Sequence, residues 1–148
     1  MIRWGFLCCC IFLCLSGGGL HAQTKSEKAE GQWLVWTQKQ GVEIYVQHRK
    51  SAVDTKYNTL VRLRNNNDSE FMVNFSPAFG CLVKTEKSRE TSDGGSVSIS
   101  KSTLVTYQHG EVKVVVYPRS SVTLLAYRPC KGDIPHEINF NAFQVRRR

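Results

Sequence analysis

Val42-Glu43-Ile44-Tyr45-Val46-Gln47 and Leu60-Val61-Arg62-Leu63-Arg64 alternate apolar and polar residues with a period of two. Successive side chains of a strand leave on opposite faces, so Val42, Ile44 and Val46 share one face, as do Val61 and Leu63. Arg62 and Arg64 then point together to the wetter side. The pattern recurs downstream: Phe71, Val73 and Phe75 alternate with Met72, Asn74 and Ser76, and Val112, Val114 and Val116 follow, then Val122, Leu124 and Ala126. Each reads as a half-buried strand with one core face.

The punctuation agrees with strands. Asn65-Asn66-Asn67-Asp68-Ser69 is a turn built from residues that bond to their own main chain and tolerate left-handed backbone. Asp93-Gly94-Gly95 plays the same part before Val97 and Ile99, and Pro118, Pro129 and Pro135 bound the later strands. Ile138 and Phe140 fall in one phase while Phe143 and Val145 fall in the other, which predicts a bulge near Asn141-Ala142. No helical stretch longer than two turns carries a convincing apolar face. Seven or eight short strands between turn signals predict an all-β domain over residues 33–148, an immunoglobulin-like β-sandwich. A small closed barrel is the alternative. Trp33 and Trp36 both precede Cys81, so the Cys–Trp–Cys order of immunoglobulin domains is missing and the expectation concerns architecture alone.

The N-terminus reads as a secretory signal over residues 1–22. Arg3 supplies the positive start, Trp4 to Leu15 is apolar, and Ala22 suits the small residue before a signal-peptidase cut. The apolar run is shorter than the roughly 20 residues of a membrane-spanning helix, so no anchor is expected after cleavage. Four of six cysteines, Cys8, Cys9, Cys10 and Cys14, leave with this segment. Leu7 and Leu13 precede Cys8 and Cys14 where a lipoprotein signal needs a small residue. A cut after Ala22 leaves 126 of the 148 residues, with 19 Lys and Arg against 12 Asp and Glu, a net charge of +7. The expected location is the periplasm, the outer envelope or the extracellular space. In that oxidising setting the remaining pair, Cys81 and Cys130, is read as a disulfide bond. Residues 23–32 have no apolar residue larger than Ala29 and read as a polar flexible leader.

The order of short motifs also resembles a known kind of protein. It runs from His21-Ala22-Gln23 through Trp36, Gly41-Val42-Glu43-Ile44, Leu63-Arg64-Asn65-Asn66-Asn67 and Val73-Asn74-Phe75 to Cys81. Pro118-Arg119-Ser120-Ser121-Val122 and Cys130-Lys131-Gly132-Asp133 complete it. This resembles small uncharacterised exported β-sandwich proteins of Bacteroidota-type bacteria. The resemblance implies an envelope or secreted location and a sandwich fold, and it carries no catalytic residues.

Several chemistries lack their residues. Outside the signal the histidines are His48, His109 and His136, without a His-x-x-His or Cys-x-x-Cys spacing, so neither a metal nor another cofactor is expected. There is no Gly-x-Ser-x-Gly elbow, and Gly94-Gly95 does not lead into Lys-Ser and a helix. Cys81 as a nucleophile would need a free thiolate, which a bridge removes. Glu86 and Glu90 lie in the most polar stretch and read as solvated. An enzyme would have to assemble its site from loops, and a concave pocket gathering two or more of Asp133, His136, Glu137, His109 and His48 would favour one.

Positive charge and aromatic rings remain. Arg62 and Arg64 on one strand face, and the terminal Arg146, Arg147 and Arg148, are candidate contacts to an anionic ligand. Nucleic acid is disfavoured because aromatics are not interleaved with the basic residues. Of Trp33 and Trp36, alternation can place only one on an outer face, where a flat ring can stack on a sugar or pack on a partner. The expected function is a non-enzymatic exported binding module whose partner is an envelope protein or an acidic glycan. The alternative is a small hydrolytic or transfer enzyme.

Overall fold

The computed structural model describes residues 25–90, 96–124 and 126–148. The segment read as a signal, residues 1–22, and the turn expected at residues 93–95 lie outside them. Among the described residues no helix is long and apolar enough to cross a membrane. After a single helical turn, α1 (Lys25–Lys28), the chain runs through β1 (Leu34–Lys39), β2 (Val42–Lys50), β3 (Tyr57–Asn65) and β4 (Phe71–Glu90). It continues through β5 (Ser96–Gln108), β6 (Val112–Val116), β7 (Ser121–Thr123), a 3-10 turn at Cys130–Gly132 and β8 (Glu137–Arg147). The eight strands among the described residues pair antiparallel, in two sheets.

The first sheet has the order β1-β2-β3-β7. Lys39 pairs with Val42, so Gln40-Gly41 is a two-residue hairpin turn. Both residues have positive φ, 50° and 73°, as the twist of a tight hairpin requires. The Asn-rich turn between β3 and β4 is held by one fully buried side chain. The amide nitrogen of Asn65 donates to the carbonyls of Ser69, Val116 and Tyr117, and its oxygen accepts from the backbone and side chain of Asn67.

In the second sheet β4 is the spine. β6 and β8 both pair with the start of β4, so they occupy opposite edges. β5 pairs with residues 78–90 and β6 with 71–75 along one edge, so they are successive parts of one long strand. The break between them faces Pro77, which has no N–H to give, while its carbonyl takes the His109 N–H at 2.9 Å. On the other edge the β4–β8 register shifts between Asn74 and Ser76, opposite Gln144 and Asn141, with Ala142 at φ 53°. This is the bulge that the two phases of β8 require: Ile138 and Val145 are both buried.

The core lies between the sheets. Val42, Ile44, Val61 and Leu63 of the first meet Phe71, Val73, Phe75, Val116 and Val145 of the second. Val112 and Val114 are only partly buried at its margin. A second cluster joins Ala29, Val46, Phe79 and Ile138, with Trp36 and Tyr127 packed against it. Cys81 and Cys130 are bridged, with Cα atoms 5.2 Å apart.

Two expectations change. The strands are not all short: β4 runs 20 residues and β5 13. Leu82–Arg89 of β4 and 98–104 of β5 are exposed throughout, a two-stranded ribbon standing off the sandwich. Water on both of its faces leaves no alternation to read. The stretch 23–32 does not stand away as a flexible leader over its described part. Ser26 and Ala29 are buried, the Ser26 hydroxyl donates to the Pro135 carbonyl, and Glu30 bridges to His48.

Phe75 is fully buried and meets Phe140 edge to face at 5.4 Å. Phe75→Ala should destabilise the fold by about 3–5 kcal/mol, read from denaturant unfolding at equal slope. Replacing both bridged cysteines by Ala should cost up to about 4 kcal/mol more, because the link closes a long loop in the unfolded chain.

Candidate functional site

Alternation on β2 and β3 sends Val42, Ile44, Val61 and Leu63 inward, so Glu43, Tyr45, Gln47 and Arg49 face out beside Leu60, Arg62 and Arg64. Arg62 is half-buried, not fully exposed as alternation alone suggests. Its guanidinium carbon lies 4.0 Å from the centre of the Trp33 ring, and its Nε donates to Thr123 Oγ1 at 3.3 Å. The indole packs on the cation, and among the described residues the terminal nitrogens of Arg62 have no hydrogen-bond acceptor.

The neighbours tune this face. Tyr45 donates its hydroxyl to Glu43 at 2.7 Å. That bond, with a further one from Asn66 and the nearby charge of Arg64, holds the Glu43 carboxyl below its usual range. The same bond raises the Tyr45 phenol. Arg49, Arg62 and Arg64 thus share the face with one carboxylate of these two strands, Glu43, and with Trp33 and Tyr45. Trp36 goes inward: the β1 register shifts between Val35 and Thr37, and the Trp36 indole donates to the Ile138 carbonyl at 2.9 Å.

The terminal arginines do not join this field. Val145 is inward, so Arg146 lies on the outer face of the second sheet, on the opposite side of the sandwich. There it flanks a recess of about 290 Å³ with Met72, Asn74, Lys113 and Gln144. Asn74 Nδ2 donates to Glu111 at 2.6 Å, and its buried Oδ1 has no partner among the described residues. Arg147 is exposed beside Phe71, and Arg148 is ion-paired with Glu70 at 3.1 Å. The five arginines read together from the sequence therefore form two separate groups. Face assignment across two sheets depends on strand order, which alternation along one strand does not contain.

The histidines and loop carboxylates also divide. Asp133 and His136 line one recess of about 600 Å³ with Glu27, Glu30, Lys84 and Cys130. Glu30 there accepts the Tyr57 hydroxyl. Glu137 is exposed on β8, outside that lining. His109 packs edge to face on Phe79 and Tyr127, each at 5.2 Å. His48 is fully buried, with Nε2 3.1 Å from Ser26 Oγ and Nδ1 3.0 Å from Thr59 Oγ1. The Ser26 hydroxyl gives its proton to Pro135, so Nε2 donates to Ser26 and Nδ1 accepts from Thr59. That tautomer leaves His48 no basic nitrogen toward Ser26. The pair is a structural clamp, not a catalytic dyad. Among the described residues no group of three or more His, Cys, Asp and Glu is placed to hold a metal ion.

Sequence reading missed Ser26, Arg49 and the pairing of Trp33 with Arg62. Only Trp33 gave a signal, as one of two tryptophans of which a single one could face out. The chain matches no family model, no curated protein and no solved structure.

Burial pushes the His48 imidazole down to about 4, against a smaller opposing pull from Glu30. The unfolded chain, with an ordinary imidazole near 6.5, takes up a proton that the fold refuses. The contribution is fully present above about pH 6.5 and is lost as pH falls towards 4, by on the order of 3 kcal/mol. Denaturant midpoints across that window should fall in the wild type and stay flatter in His48→Gln.

Proposed function

We propose that this chain is an exported, non-enzymatic binding module that takes an acidic ligand, an acidic glycan of the envelope, on the outer face of its first sheet. The carrying observation is Arg62 laid on Trp33 at 4.0 Å with Arg49, Arg64 and Tyr45 around it. Guanidinium groups pair with carboxylate or phosphate through fixed, planar donors, and flat rings pack on sugar faces. Export rests on the signal-like segment before residue 23, and the Cys81–Cys130 bridge supports an oxidising compartment. The immunoglobulin-like label is proposed at the level of layers only. Consecutive β1, β2 and β3 meander within one sheet, unlike the A-B-E-D order of immunoglobulin constant domains.

One observation favours a second reading. Asp133 and His136 share a recess with Glu27 and Glu30, a setting in which a carboxylate and an imidazole can activate water for a hydrolytic or transfer step. Turnover of a chromogenic ester or glycoside that is lost in Asp133→Asn would select it.

For the first reading the measurement is retention on an immobilised polyanion against salt. Screening shortens surface charge to a reach of about 8 Å at physiological ionic strength, so binding should weaken steeply with added salt. Arg62→Gln with Arg64→Gln should lower affinity and flatten the salt slope while costing about 1 kcal/mol or less of stability, through the lost contact with Trp33. Removing Arg146 to Arg148 should leave the effect of that double change intact, because the two groups lie on opposite faces. Equal retention of the wild type and the double variant would return the charge to a role in solubility.

A further inference from the structure

We propose that the outer edge of β5 is a pairing site for a second copy of this chain, joined antiparallel about a two-fold axis at Ser102. Among the described residues β5 pairs only with β4, so there its other edge offers a row of free N–H and C=O groups along Ser96–Gln108. The direction of those groups follows from one bond. His109 N–H points to the Pro77 carbonyl, and alternation then turns odd-numbered residues of β5 toward β4 and even-numbered ones outward.

The ribbon has two free edges, and they differ. Along β4 the stretch Leu82–Arg89 carries Lys84, Glu86, Lys87 and Arg89, the charged pattern by which natural edges resist pairing. β5 has one charge, Lys101, in 13 residues and contains no proline. It also exposes Ile99, Leu104 and Tyr107. A long, β-branched, nearly uncharged edge is a template for another strand.

The second copy is selected by fit. An antiparallel pair that uses all of Ser96–Gln108 places the axis at Ser102, midway along the strand. In that register Lys101 meets Thr103, Ile99 meets Val105 and Ser100 meets Leu104. A slip by one residue on each strand, with the axis at Lys101, sets the two ammonium groups directly opposite one another, which is unfavourable. The full-length register therefore also separates the like charges, and it bonds even-numbered residues to even-numbered residues. The product is a four-stranded ribbon, β4-β5 of one protomer continuing into β5-β4 of its partner.

The test uses the protein purified from an oxidising compartment. Light scattering should give twice the monomer mass, and Ser102→Cys should yield a covalent dimer on a non-reducing gel. Opposed residues of a hydrogen-bonded pair have Cα atoms about 5.5 Å apart, within disulfide reach. Ser100→Cys should stay unlinked, because the two Ser100 positions are displaced by about 13 Å along the strands. Ser100→Pro, which removes one outward N–H and leaves the β4 ladder whole, should halve the mass while the Cys81–Cys130 bridge still forms. A monomer at every concentration overturns the proposal. So does Ser100→Cys linking as readily as Ser102→Cys, or a dimer that survives Ser100→Pro and is not locked through Ser102.

Discussion

Every hydrogen-bond ladder of the second sheet is anchored on β4. Over residues 71–80 this strand is bonded on both edges, by β8 on one side and by β6 and then β5 on the other. Phe71, Val73 and Phe75 give that stretch its inward face, so one segment supplies both the ladder and a third of the main core. Pro77 follows the register shift against β8 and faces the break between β5 and β6. Its missing donor is tolerated there because β5 breaks from β6 opposite it, which lets the chain change direction without an orphaned carbonyl.

Around that spine, buried polar groups fix positions that apolar packing leaves loose. Asn65 closes the β3–β4 turn onto the end of β6 through both ends of its amide. His48 and Ser26 fasten the first helical turn to the loop at Pro135. Unmade bonds at such depth are costly, so each network admits few alternative arrangements. The contrast lies on the outer face of the second sheet, where the buried Asn74 Oδ1 has no partner among the described residues.

Much of the sandwich is legible in the chain because its strands are wet on one side only. Val42, Ile44, Val61, Leu63, Phe71, Val73 and Phe75 alternate, and all are buried. The phase slip between Phe140 and Phe143 locates the β8 bulge for the same reason. The ribbon is not legible, since residues 82–89 and 98–104 face water on both sides and carry no period. Docking of the first helical turn is also hidden: a serine and an alanine bury little area, and their partners lie at His48 and Pro135. The candidate site is half legible. Arg62 and Arg64 on one face follow from alternation. The indole under Arg62, and the separation of Arg146 from that face, need the order of the strands.

The place of the disulfide has a mechanical consequence. Cys81 is the β4 residue immediately after Gly80, the last that β8 covers, so the bridge to Cys130 sits at the root of the ribbon. Tension applied at the tip travels down β4 as along a rope and reaches a covalent knot before it reaches the β8 ladder. From Cys81 the load divides, part continuing along β4 and part crossing to the chain at Cys130, just before β8. Peeling of β4 is thereby separated from opening of its ladder with β8, and load on that strand is shared with the chain at Cys130 before it reaches the core.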